Sequence, residues 1–278
     1  MIFLLLAILS SAMVSIVMRI SSDKISANLS MLAVNYLLCS VLGAAYAGFQ
    51  IWLPEASGFS LTLGLGVLSG ILYLAGFAML QLNVRKNGVV LSSIFMKLGL
   101  LVPIVLSLLF FNEIPTAAQI VGFCIAIGAI IVINVKKDSS AGGFSIGLIV
   151  LLLLGGSCDA MSKVYEVFGA AELSEQFLFY TFLTAFLLCT AVVLIQKEHL
   201  GRWEVFFGVL IGIPNFFSAR FLLASLTQLD AVIVYPTYSV ATILAVTLAG
   251  VAVFRERLHR RQWYALAAIL AALVMLNS

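Results

Sequence analysis

Ten apolar runs follow one another along this chain, parted by only a few polar residues, and no fold that faces water on its outside accommodates them. They fall near residues 1–18, 29–49, 59–82, 88–111, 117–135, 144–165, 175–195, 204–226, 231–253 and 262–277. A run of about 20 apolar residues crosses the hydrocarbon layer as a helix, whereas a membrane strand needs about 10 residues and alternates in polarity. Composition agrees: 63% of the 278 residues are hydrophobic and 10% are charged, against roughly 25% charged in a soluble domain. The expected fold is an all-α membrane protein with ten transmembrane helices. The first run has no positively charged start and no small-residue cleavage pattern, so it reads as a spanning helix rather than a signal peptide. Cys39, Cys124, Cys158 and Cys189 all lie inside apolar runs without metal-ligand spacing, which makes them packing residues.

The chain also repeats itself. Phe111, Glu113 and Gln119 return as Phe254, Glu256 and Gln262, each 143 residues later, and Asn134 returns as Asn277. Residues 76–134 slide onto 219–277 with few identities but with the apolar runs in step, as weak internal symmetry in a transporter would give. Each copy holds five runs, at 1–135 and 144–278, joined by a linker at 136–143. Five is odd, so the second copy enters the membrane from the opposite side and the two form inverted five-helix repeats.

Loop charge gives an independent orientation. Arg19 and Lys24, Arg85 and Lys86, Lys136 and Lys137, Lys197 and Arg202, and then Arg255, Arg257, Arg260 and Arg261 all fall at alternate connections. Positively charged loops stay in the cytoplasm, so both termini are expected outside. The repeated hairpin residues read as structural. Thr116 with Gln119 three residues on is a capping-box pattern opening the fifth helix, and Pro115 helps to end the fourth.

Each copy closes with F-x-E, a Gln six residues after the Glu, and a final helix rich in small residues ("GFCIAIGAIIVIN", "ALAAILAALVMLN"). That order, repeated, resembles the EamA-type drug/metabolite transporter superfamily over nearly the whole chain. In the second copy His259 stands for Thr116 and Ala265 for Gly122, so that half departs further from the pattern. The resemblance implies a secondary transporter, often an exporter, in a bacterial inner membrane. It also implies a central cavity lined by helices 1, 3, 4, 6, 8 and 9, with helices 5 and 10 peripheral.

A charge near the bilayer centre costs roughly 2.5–3.5 kcal/mol, so those present should be paired or line a cavity. Lys97 lies about 14 Å into the fourth run, with no acidic neighbour one turn away. Asp159 and Lys163 are spaced i, i+4 with Glu166 three further on, so all three share a face. Arg220 has no partner on its own helix. Lys97, Lys163 and Arg220 against Asp159 leave a cationic surplus, reduced when Glu166 is included, which points to a substrate carrying a carboxylate or phosphate, such as an amino acid. Against this, Lys163 and Arg220 can snorkel outward. Tyr235, Tyr238, Ser239 and Thr242 form one polar stripe on the ninth helix and read as a wall of the cavity. Pro103, Pro214 and Pro236 each free a backbone carbonyl inside a run. Helix 1 carries Ser15 near the level of Asp159, so an embedded acid occupies one half alone, and Asp159, modulated by Lys163, is the candidate for proton coupling. Uncoupled export fits equally well.

Catalysis is not expected. His199 and His259 lack partner spacing, and neither H-E-x-x-H nor a Walker-type glycine loop occurs. No catalytic residue, metal site, cofactor or nucleic-acid partner is indicated. The expected partners are a small-molecule substrate, the lipid bilayer and protons, with the chain acting as a monomer or homodimer. Translocation of a lipid or lipid-linked metabolite is the alternative.

Overall fold

The computed structural model describes residues 1–21, 24–87, 95–96, 98–110, 114–134 and 146–252, and then 263–264, 267–268, 271–272 and 274–275. Among them are nine α-helices: α1 (Ile2–Ser21), α2 (Asn28–Tyr46), α3 (Phe59–Asn87), α4 (Leu101–Phe110), α5 (Ala117–Asn134), α6 (Ile146–Phe168), α7 (Ser174–Gln196), α8 (Arg202–Leu226) and α9 (Ala231–Ala252). A single 3-10 turn, Ala171–Leu173, leads into α7. The described residues between 263 and 275 are helical as well. Seven of these helices are long and apolar enough to cross a membrane. The protein is therefore an all-α, multi-pass membrane protein. Its outward faces are apolar: on α1, Leu5, Leu9 and Met13 are exposed while Leu4, Ala7, Ile8 and Ala12 are buried, the i, i+4 division of a helix with lipid on one side.

Eight of the expected runs match helices to within a few residues, and the fourth does not. Residues 95, 96 and 98 are helical, Gly99 and Leu100 form a turn, and α4 starts at Leu101. Pro103 is therefore in the first turn of a new helix, where a missing N–H costs little, and the carbonyl of Gly99 is taken by the N–H of Val102 at 2.9 Å. Pro214 and Pro236 do lie within helices, α8 and α9. At the fifth run the capping box forms as expected. The Thr116 N–H donates to Gln119 Oε1 at 2.9 Å and the Gln119 N–H to Thr116 Oγ1 at 3.2 Å. Cys39 and Cys189 are buried in the packing, whereas Cys124 is exposed on α5.

The chain forms two compact units, each drawing on both halves of the sequence: Met1, Ala75–Ala160 and Leu226–Ser278 make unit 1, and Ile2–Leu74 with Met161–Ser225 make unit 2.

Unit 2 is organised by two glycine crossings. Lipid tails are as apolar as leucine, so helices in a bilayer gain by close backbone approach rather than by leaving water. Gly66 and Gly70 of α3 provide that approach to α7. A Cβ at Gly66 would lie 3.1 Å from the Phe177 carbonyl oxygen and 2.7 Å from Tyr180 Cβ, and one at Gly70 would lie 2.6 Å from both the Thr181 carbonyl oxygen and Thr184 Cβ. Gly208 and Gly212 of α8 do the same to α2: a Cβ at Gly208 would sit 2.7 Å from the Met31 carbonyl oxygen and 2.6 Å from Val34 Cβ, and one at Gly212 would sit 3.1 Å from both the Asn35 carbonyl oxygen and Leu38 Cβ. Both crossings meet a carbonyl and, three residues on, a Cβ, then repeat one turn later.

The two ends of unit 2 differ in charge. At one, Lys24 lies over the Trp203 ring at 5.0 Å and Arg202 over the same ring at 5.6 Å. Here Glu204 Oε1 accepts the N–H groups of Ser26 at 3.1 Å and Ala27 at 3.4 Å, just before α2, and Glu198 Oε2 accepts that of Ser30 in its first turn at 3.2 Å, so carboxylates close the entry to the helix. At the other end, between α2 and α3, the connection carries Glu55 but no Lys or Arg. Gln176 Nε2 donates to the Gln50 carbonyl at 3.0 Å and the Tyr180 hydroxyl to that of Ile51 at 2.7 Å.

In unit 1 the turn at Gly99 lies directly on α6. A Cβ at Gly99 would be 2.9 Å from Gly156 N, and one at Gly156 would overlap the Gly99 carbonyl oxygen, so neither position admits a side chain. Buried Asn83 adds a polar tie between α3 and α6, donating to the Gly147 carbonyl at 3.0 Å and to Met79 at 2.9 Å. Leu100, Ile104, Val232, Val240 and Ala272 form the apolar core.

Candidate functional site

In unit 2 the charged interior lies where α7 and α8 meet the end of α2. Glu175, in the first turn of α7, accepts from Arg220 of α8, Nε to Oε1 at 2.7 Å. The Arg220 guanidinium also lies 4.4 Å from the centre of the Tyr46 ring, a cation–π contact. Tyr46 in turn meets Phe216 at 5.6 Å and Phe217 at 5.9 Å, and Phe217 stacks on Phe221 at 5.6 Å. The charged pair thus sits against an aromatic wall. Its side chains keep 32% and 20% of their exposure, so it is sheltered but reachable. Glu175 Oε2 is buried with no hydrogen-bond partner.

This corrects the cationic reading of Arg220. Its carboxylate partner is on another helix, and counting Glu175 removes the surplus of positive charge inferred from the sequence. Lys163 is likewise compensated: its Nζ lies 2.7 Å from Glu166 Oε2, with 8% of the lysine side chain exposed. The third member of that face, Asp159, offers its backbone carbonyl to the Tyr235 hydroxyl at 2.8 Å, tying α9 to α6 within unit 1.

On α9, Tyr235 and Thr242 are buried and Tyr238 and Ser239 half-buried, but Thr237, on another side of the helix, is buried too. Thr242 Oγ1 has no partner. Lys97, Phe111, Glu113, Phe254, Glu256 and Gln262 lie outside the described residues. A polar contact that the sequence reading missed joins α2 and α8: Asn215 Nδ2 donates to Asn35 Oδ1 at 3.2 Å, and Cys39 Sγ to the Gly212 carbonyl at 3.3 Å. Two asparagines inside apolar runs were the available signal. Among the described residues no group of three or more His, Cys, Asp or Glu side chains is placed to hold a metal ion.

A multi-pass helical membrane protein with ion pairs built between and along its spanning helices is the class that this geometry defines. Residues 1–135, about half of the chain, match the EamA-like transporter family, which supports transport rather than catalysis. An uncharacterized protein of Haemophilus influenzae is 24% identical over 286 aligned positions, covering 98% of this chain and 96% of that protein. A crystal structure of a protein superposes with a TM-score of 0.73 at 15% identity, covering 99% of this chain and 94% of the other; at that identity the likeness is one of fold.

Proposed function

We propose that this protein is a secondary or facilitative transporter of a small polar metabolite, an exporter working by alternating access. The observation that carries the reading is the pair of ion pairs, Arg220–Glu175 and Lys163–Glu166, retained inside apolar helices of a chain whose first half matches a transporter family. Ionisable residues within spanning helices are rare, pair with one another and mark substrate and ion pathways.

Ten helices in two inverted repeats, residues 1–135 and 144–278 with 136–143 between them, complete the proposal. The matching glycine crossings support it, since α3 on α7 and α8 on α2 are the contacts that exchange when the two halves are exchanged. Both termini are proposed to lie outside. In support, Lys24 and Arg202 meet at one end of unit 2, as connections on a single cytoplasmic face would. In this scheme Lys97, Tyr235, Tyr238, Ser239 and Thr242 contact substrate, and Asp159 with Lys163 couples transport to protons.

Purified protein in liposomes loaded with pools of amino acids, sugar phosphates, amines or lipids tests the reading. Release of one soluble pool is the expected result, and movement of lipid alone would replace the reading with lipid translocation. Asp159→Asn should then abolish the dependence of net flux on a pH gradient while leaving substrate exchange measurable, because Asn keeps the shape and does not titrate. Unchanged pH dependence would remove Asp159 from the coupling role.

A further inference from the structure

Glu175 is only half satisfied. Arg220 meets it through a single Nε–Oε1 bond rather than the two-pronged contact of which a guanidinium is capable, and Oε2 is buried with no donor. The neighbouring Gln176 is in the same state: its Nε2 is committed to the Gln50 carbonyl, and its Oε1 is buried without a partner. A buried acceptor left unpaired keeps its desolvation cost uncompensated, the more so if charged, so what completes this place must bring N–H or O–H groups.

Glu175 sits in the first turn of α7, with Arg220 on its Oε1 side. An ammonium group suits the place: it would give Oε2 a charge-assisted bond beside Tyr46, whose ring already carries the Arg220 guanidinium, and the half-buried Phe217 and Phe221 rings offer a surface for an apolar body.

We propose that Glu175 receives the primary ammonium group of a transported molecule against Tyr46, while Arg220 is a positioning residue that holds the carboxylate in place. The proposal rests on the transporter reading and deepens it by naming a substrate class: amines with an apolar or aromatic body.

The test uses the purified full chain in detergent with two probes of the same body and opposite charge, phenethylammonium and 3-phenylpropionate, measured by calorimetric titration. Phenethylammonium should bind saturably and 3-phenylpropionate should not. Glu175→Gln should weaken phenethylammonium binding on the order of tenfold or more. Because that change leaves Arg220 uncompensated, the double variant Glu175→Gln with Arg220→Gln restores the charge balance and should show the same loss with a folded protein. Arg220→Lys, which keeps a cation beside Glu175, should retain binding better than the double variant. Failure of phenethylammonium to bind the wild type, preference for 3-phenylpropionate, or binding that survives the double variant would each overturn the proposal. None of these would touch the transporter reading, which stands or falls on liposome flux.

Discussion

The two ends of unit 2 are built on one packing plan and closed with opposite hydrogen-bond polarity. Where α8 crosses α2, the start of α2 gives its backbone N–H groups to the carboxylates of Glu198 and Glu204. Where α3 crosses α7, the side chains of Gln176 and Tyr180 donate to carbonyls of the connection between α2 and α3. Neither helix has a side-chain cap of its own, at Ala27 or at Leu173. What the two ends share is the demand for no Cβ at the crossing, a steric condition with few solutions. The polar closure has many solutions, so it varies, and each end takes a solution that suits its charge.

The sharpest way to break this comparison is to load both crossings. Gly70→Leu and Gly208→Leu each drive a branched side chain into a neighbouring backbone carbonyl and Cβ, and each should cost at least about 1–3 kcal/mol, visible as loss of monodisperse protein or a large fall in Tm. If one is tolerated and the other is not, the crossings are not equivalent. Next in size is Glu204→Ala, which leaves the Ser26 and Ala27 amides without their acceptor and should cost about 0.5–2 kcal/mol, the range for losing a helix cap. Tyr180→Phe at the opposite end deletes one bond to Ile51 and should cost about 0.5–1.5 kcal/mol; a loss larger than that of Glu204→Ala would reverse the ranking of the two closures. The smallest effect is at Gly64, which has nothing within 4 Å of an added Cβ. Gly64→Ala should be neutral or stabilise by up to about 1 kcal/mol, and destabilisation there would mean that α3 meets its neighbours through more than the Gly66 and Gly70 face.

The sequence was most readable where the cause is local. The spanning helices follow from run length, and the Thr116–Gln119 box from a spacing of three residues. It was least readable where a partner is far along the chain. Arg220 looked uncompensated because Glu175 is 45 residues away on another helix, and the first acid after a connection reads as a headgroup residue. The break at Gly99 was hidden for a different reason: a turn that keeps its apolar side chains does not interrupt an apolar run. The G-x-x-x-G spacings at 66–70 and 208–212 were present in the sequence and announce close crossings, yet which helix each would meet was not encoded locally.

The dependence of α2 on Glu204 also sets a clock on synthesis. Ser26 and Glu204 are 178 positions apart, and at 5–20 residues per second a ribosome needs roughly 10–35 s to travel that far. For that interval the nascent α2 has length and apolarity enough to enter the bilayer, but its opening turn lacks the acceptor that later finishes it. The first half of the chain therefore waits, inserted and frayed at one edge, until the second half arrives, and a polypeptide truncated before α8 presents that edge to the quality-control machinery as unfinished.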